Sequence, residues 1–238
     1  VNAASSVVPS KERKIGARGL TEKILASCAD VNAVLARKEM FTASHPVFPL
    51  LADARQIAVI EVAPQGRISV KVSDRGVLYH TNHYLDDGLL WANRKPNESS
   101  NIRLNRIRQL LTGHPAPFTA QDFLTFSRDR LDGPDNGIWR TGSAPAKIRT
   151  IAAWMVANPQ GDAPRLHIRL ANPGEPERIY DIKLDPAFWA KGVGNDLKCS
   201  QGLFLEKNVG QRTFTEKPAA TKNNDCRQTP FVMDLNYD

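Results

Sequence analysis

Residues 50–72 constrain the fold of this chain more than any other stretch. Three short apolar runs follow one another there: Leu50-Leu51-Ala52-Asp53, then Ala58-Val59-Ile60-Glu61-Val62, then 67–72, where Ile68, Val70 and Val72 alternate onto one face. Pro64-Gln65-Gly66 separates the last two and reads as a hairpin turn, and residues 53–56 turn between the first two. Sequential strands joined by short turns pair as neighbours, so an antiparallel meander is the economical topology.

The flanking segments divide into helices and strands. Residues 1–8 read as a short strand ended by Pro9-Ser10. Residues 19–38 carry Leu20, Ile24, Leu25, Cys28, Val31, Val34 and Leu35 at helical spacing, and Asp30 is an N-cap candidate that splits them into two helices. Cys28 on that stripe reads as a core thiol. Residues 76–84 read as a fourth strand running into polar residues, followed by a loop over 86–98 that carries Trp91. Ser99 or Ser100 is expected to cap a helix over 101–111, and Thr119 one over 120–130; 131–146 is loop. Strands are expected over 148–156, 165–170 and 179–184, with turns at 159–162 and 172–176. Helices and antiparallel strands are segregated rather than strictly alternating, which argues for an α+β fold and against a doubly wound parallel sheet. The expected organisation is one domain over 1–190, incomplete at its N-terminus, and a polar C-terminal extension over 191–238.

Composition narrows the function. Hydrophobic residues are 41% and charged residues 24% of 238, which excludes wholesale disorder. No apolar run approaches the roughly 20 residues that span a bilayer, and residues 1–8 lack the basic and apolar regions of a signal peptide. Three cysteines exclude a disulfide-dense scaffold and a four-cysteine zinc site. The net charge of +7 and a pI near 9.5 suit an anionic partner, but acids are interleaved with the bases almost throughout. The densest basic stretches, 11–14 and Arg103, Arg106 and Arg108, lack the interleaved aromatics of a single-strand stacking platform. Surplus surface Lys and Arg is the plain reading, with no nucleic-acid or membrane partner.

The sequence has no dinucleotide fingerprint, no phosphate loop, no His-Glu-x-x-His and no nucleophile elbow. On a strand, His80 and His83 fall on opposite faces, so no shared metal is expected. The polar cluster His80-Thr81-Asn82-His83-Tyr84 at the end of an apolar run is the most informative stretch. An Asn amide there can donate to a developing oxyanion in acyl transfer. The same residues can equally bond into a turn.

The stretch Gly76-Val77-Leu78-Tyr79-His80-Thr81-Asn82-His83-Tyr84-Leu85 resembles the Thr-Asn-His segment of the acyl-CoA:6-aminopenicillanic-acid acyltransferase-like proteins. These are N-terminal-nucleophile (Ntn) hydrolases, more distantly related to penicillin V acylase and the bile-salt (choloylglycine) hydrolases. The hairpin at 50–61, the Ser99-Ser100-Asn101-Ile102-Arg103 helix start, and the hairpin at 148–170 ending in Asn172-Pro173 resemble the family in the same order, over 1–184.

The resemblance implies a four-layer αββα sandwich and a self-processed Cys at a free N-terminus, whose α-amine is the general base. It implies cleavage of a linear amide C–N bond or acyl transfer to an amine; no cofactor and no metal are expected. Asn82 is the implied oxyanion donor. Arg103 either holds charge near the nucleophile or substrate or is a structural clamp, with Arg106 as its alternative. His83, Tyr84 and Trp91 are the expected substrate-binding residues; Tyr84 and Trp91 can line an apolar acyl pocket or be core.

Residue 1 is Val, which has no nucleophilic atom, so the Cys is expected on a separate or missing N-terminal segment. Cys28, mid-helix with no nearby His, is a poor substitute. Cys199 and Cys226 in the extension are paired or free; pairing implies an oxidising, periplasmic or secreted setting. A non-catalytic binding protein on the same fold and a basic anion- or nucleic-acid-binding module are the other two readings.

Overall fold

The computed structural model describes residues 2–4, 15–93, 98–159 and 161–191. The basic run at 11–14, the extension at 192–238, and with it Cys199 and Cys226, lie outside the described residues. The fold is α+β, with two antiparallel sheets among the described residues.

The first sheet holds β1 (Asn2–Ala3), β2 (Val47–Phe48), β3 (Leu50–Ala52), β4 (Ile57–Val62) and β5 (Ile68–Ser73). β4 is its centre: β2 and β3 pair with one edge, β5 with the other, and β1 joins outside β2, every pairing antiparallel. The β4–β5 turn works because Gln65 and Gly66 take φ of 66° and 71°, where a Cβ is ordinarily strained and Gly is not. At the β3–β4 turn the Asp53 carboxylate accepts from the Arg55 and Gln56 amides and from Val31 of the helical layer.

That layer consists of α1 (Ala17–Ser27), α2 (Val31–Leu35) and α3 (Glu39–Thr42). Asp30 splits the first two as expected, its side chain accepting from the Ala33 amide. Leu20, Ile24, Val34, Met40 and Phe41 bury themselves against Val47, Ile60 and Val62. Because side chains alternate along a strand, Glu61 projects to the other face. There Phe48, Ala63, Tyr84, Leu89 and Ala92 form a second cluster.

Several expected elements are corrected. Residues 76–84 form no strand, and from Asn82 onward three amides are claimed by side chains distant in sequence. The Asn82 N–H donates to Ser100, that of Tyr84 to Asn93, and that of Leu85 to Glu61. The loop carrying Trp91 contains a 3-10 helix, Asp87–Ala92. Ser99 and Ser100 sit inside α4 (Glu98–Thr112) rather than capping it. The helix after Thr119, α5 (Ala120–Phe126), is shorter than expected, though its capping box with Asp122 is present. A short α6 (Gly133–Asn136) interrupts the following loop.

The second sheet is the meander β6 (Ala152–Ala157), β7 (Arg165–Leu170) and β8 (Arg178–Lys183), and α7 (Pro186–Lys191) follows. β6 starts later than expected because residues 150 and 151 bond to Arg140 and Ala171 outside the ladder. Among the described residues, apolar side chains stay open on both sheets. Val70 and Val72, on the helix-bearing face but beyond the helices, are 41% and 44% exposed. Trp154 and Val156, aligned with Ile168, Tyr180, Leu166 and Ile182 on one face of the second sheet, are 68% and 45% exposed.

Candidate functional site

The site is built where the end of β4 meets the start of α4, with residues 80–86 strung between them. Glu61 supplies the sheet side. Its buried Oε1 accepts from His80 Nε2 and from the Leu85 N–H, both at 2.8 Å, and its Oε2 accepts from the Asp86 N–H at 3.2 Å. His80 is also buried, its ring 4.2 Å from that of Phe48, and its Nδ1 donates to the Thr81 carbonyl at 2.7 Å.

Helix α4 supplies the other side. Ser100 and Arg103 are three residues apart and share a helix face. Ser100 Oγ, fully buried, accepts the Asn82 N–H at 2.9 Å. Arg103 Nη2 donates to Asn82 Oδ1 at 2.9 Å. A guanidinium has donors only, so the atom facing Arg103 is the Asn82 carbonyl oxygen. The NH2 end of the amide is thereby turned to the opposite side. Asn82 is fixed at both backbone and side chain, its carbonyl oxygen toward Arg103 and its NH2 on the other side of the amide.

His83 is 9% exposed, with Nδ1 lying 2.8 Å from Ser100 Oγ and 3.2 Å from Thr81 Oγ1. Burial pushes its imidazole below its ordinary 6.5, and the neighbouring His80 pushes it further down. A neutral His83 keeps a lone pair on Nδ1 for the Ser100 hydroxyl, while Ser100 accepts from Asn82. The sign of the stability effect follows. The unfolded chain takes up the His83 proton first, so stability is full above pH 6.5 and is lost as pH falls toward the lower folded value. Melting temperature measured against pH is expected to decline on that limb, and His83→Gln is expected to flatten it. An unchanged limb in that variant would assign the decline to other groups.

The remaining expected residues are placed differently. Tyr84 has no exposure; its hydroxyl donates to the Val62 carbonyl at 3.0 Å and its ring meets Phe48 edge-on at 4.9 Å. That makes it core, the second of its two sequence readings. Trp91 is 45% exposed, with Nε1 donating to the Gly88 carbonyl, and belongs to neither buried cluster. Arg106 is clamped on the Asp129 carboxylate at 2.9 and 2.6 Å and is not an alternative to Arg103 at Asn82. Cys28 caps the end of α1, half-buried against the helical cluster. A surface depression lined by Asp30, Ala52, Asp53, Arg55 and Asn158 shares no residue with the Asn82 cluster. Among the described residues no three His, Cys, Asp or Glu side chains gather in a metal-binding arrangement.

The sequence reading missed Glu61 and Ser100. Glu61 left one signal, a lone acid inside Val59-Ile60-Glu61-Val62, where a charge needs buried partners. Ser100 left none, because its role depends on a segment 18 residues away.

The sequence model of the acyl-coenzyme A:6-aminopenicillanic acid acyl-transferase family matches residues 6–175, well over half of the 238. The chain belongs to this family. The resemblance carried by the Thr-Asn-His segment is thus correct at family level, and the acyl-transferase family's match includes Glu61, the 80–86 segment and the start of α4. No curated protein matches the chain.

Proposed function

We propose that this acyl-transferase family member is an Ntn-type enzyme that cleaves a linear amide C–N bond, or passes the acyl group to an amine. Residues 1–238 supply the oxyanion donor, and a further N-terminal segment supplies a Cys nucleophile. The observation that carries the reading is the fixed orientation of Asn82, whose carbonyl oxygen is held by Arg103 so that its NH2 lies on the side of the amide away from the guanidinium.

In the proposed reaction the α-amine of the Cys takes the thiol proton and the sulfur attacks the substrate carbonyl carbon. A C–S bond forms, and the carbonyl π pair moves to oxygen, where the Asn82 N–H bonds it. Collapse breaks the C–N bond, the leaving amine takes the proton back, and a thioester remains. Water or an acceptor amine then attacks the thioester and regenerates the thiol. A neutral donor suits this step, since it stabilises the oxyanion without adding charge beside the thiolate. In this reading Arg103 is a positioning residue for Asn82. His83 shapes the same loop, and Trp91 takes part in substrate binding only if the further segment covers it.

The remainder of the fold reading follows from the same proposal. The two sheets stack in a four-layer αββα sandwich, with residues 191–238 as an extension. The open apolar surfaces at Val70 and Val72 and at Trp154 and Val156 support a further polypeptide segment lying against this chain. The test is intact-mass measurement and N-terminal sequencing of every polypeptide in the active protein. A chain or segment beginning with Cys is expected. Amidase activity in a preparation with no N-terminal Cys would overturn the reading.

A further inference from the structure

Glu61 is expensive where it stands. It is 5% exposed, in the centre of the first sheet, flanked in sequence by Ile60 and Val62 at 0% exposure. An apolar residue would serve the ladder as well without the cost of burying a carboxylate. What the carboxylate adds is three hydrogen bonds, all to one short segment. It holds His80 at the entry of the loop and the Leu85 and Asp86 amides at its exit. Asn82 lies between those two ends, and the segment is closed by Glu61 at its base while α4 grips Asn82 itself.

We propose that Glu61 is a positioning residue for Asn82, its carboxylate closing the 80–86 segment so that the Asn82 amide meets the reacting carbonyl oxygen. The inference rests on the reading of Asn82 as the oxyanion donor. The chemistry specifies a carboxylate. Three N–H donors converge on two oxygens, and His80 Nδ1 already spends its proton on the Thr81 carbonyl. A Gln at position 61 has one oxygen only. Turned either way, its NH2 faces the N–H of Leu85 or of Asp86, so one end of the loop is released.

The experiment is a double-mutant cycle on the complete enzyme, with an acyl-amide substrate, reading kcat and KM separately. Glu61→Gln is expected to lower kcat about tenfold to hundredfold, as for a catalytic group displaced by about 1 Å. KM is expected to stay put, because the oxyanion exists only in the transition state. Asn82→Ala/Glu61→Gln is expected to be no slower than Asn82→Ala alone, since Glu61 acts through Asn82. Multiplying losses, or an unchanged kcat in Glu61→Gln, would overturn the positioning role. Full kcat in Asn82→Ala would instead overturn the reading beneath it, and the positioning role with it.

If Glu61→Gln does not fold, His80→Leu and His80→Gln carry the test. The first removes the side-chain donor and is expected to lower kcat at constant KM. The second returns an N–H to the carboxylate and is expected to restore most of the loss. Equal activity in these two variants would overturn the proposal.

Discussion

Asn82→Ala is expected to lower kcat by about 100- to 1000-fold, equivalent to roughly 3–4 kcal/mol of lost oxyanion stabilisation. The stability cost is expected to be much smaller, about 1 kcal/mol, because one hydrogen bond from Arg103 loses its acceptor. The sharper variant is Asn82→Asp. Its carboxylate is nearly isosteric and still accepts from Arg103, now as a charged pair, so the fold is retained. The N–H donor proposed for the oxyanion, however, is replaced by a carboxylate oxygen that repels it. The expected pattern is native melting with activity at or below that of Asn82→Ala. If Asn82→Asp kept substantial activity, the Asn82 side chain would be bonding into the loop and nothing more.

The second large effect concerns stability. Tyr84 is fully buried between the end of β4 and the segment that carries Asn82, with its hydroxyl on the Val62 carbonyl. Tyr84→Ala removes an aromatic ring from the Phe48 cluster and leaves the Val62 carbonyl without that donor. The expected loss is about 3–5 kcal/mol, a large share of the roughly 5–15 kcal/mol that holds most domains together. Tyr84→Phe keeps the ring and is expected to cost only about 1 kcal/mol. Denaturant midpoints of the two variants separate packing from hydrogen bonding. Near-native stability in Tyr84→Ala, accompanied by a raised KM, would instead return Tyr84 to the substrate pocket.

These two residues also show where the sequence was legible. Thr-Asn-His pointed to Asn82, and the partner of Asn82, Arg103, was named with it, because both belong to segments whose order resembles the family. The β4–β5 hairpin was legible because Pro64-Gln65-Gly66 is turn chemistry that any local reading detects. The alternation in 165–170 was legible for the same reason, and β7 occupies those residues. Residues 76–84 were misread because an apolar run before a polar cluster looks like a strand end. At the end of that segment and just beyond it, the Asn82, Tyr84, Leu85 and Asp86 amides go to acceptors on Ser100, Asn93 and Glu61, each 9 to 25 residues away. Ser100 was misread for a related reason: a Ser beside an expected helix start is an N-cap by propensity, yet this one lies inside α4 and is buried against Asn82 and His83. The face Ile68, Val70 and Val72 was read correctly as one face, but only Ile68 packs against the helical cluster.

The central claim is that an acyl thioester forms beside Asn82. The most direct measurement is rapid-quench intact mass on the complete enzyme during turnover of an acyl-amide. The account predicts an acyl adduct on a chain or segment beginning with Cys, formed at a rate that falls about 100- to 1000-fold in Asn82→Ala. Turnover without any covalent adduct, or an adduct that forms equally fast in Asn82→Ala, would contradict it.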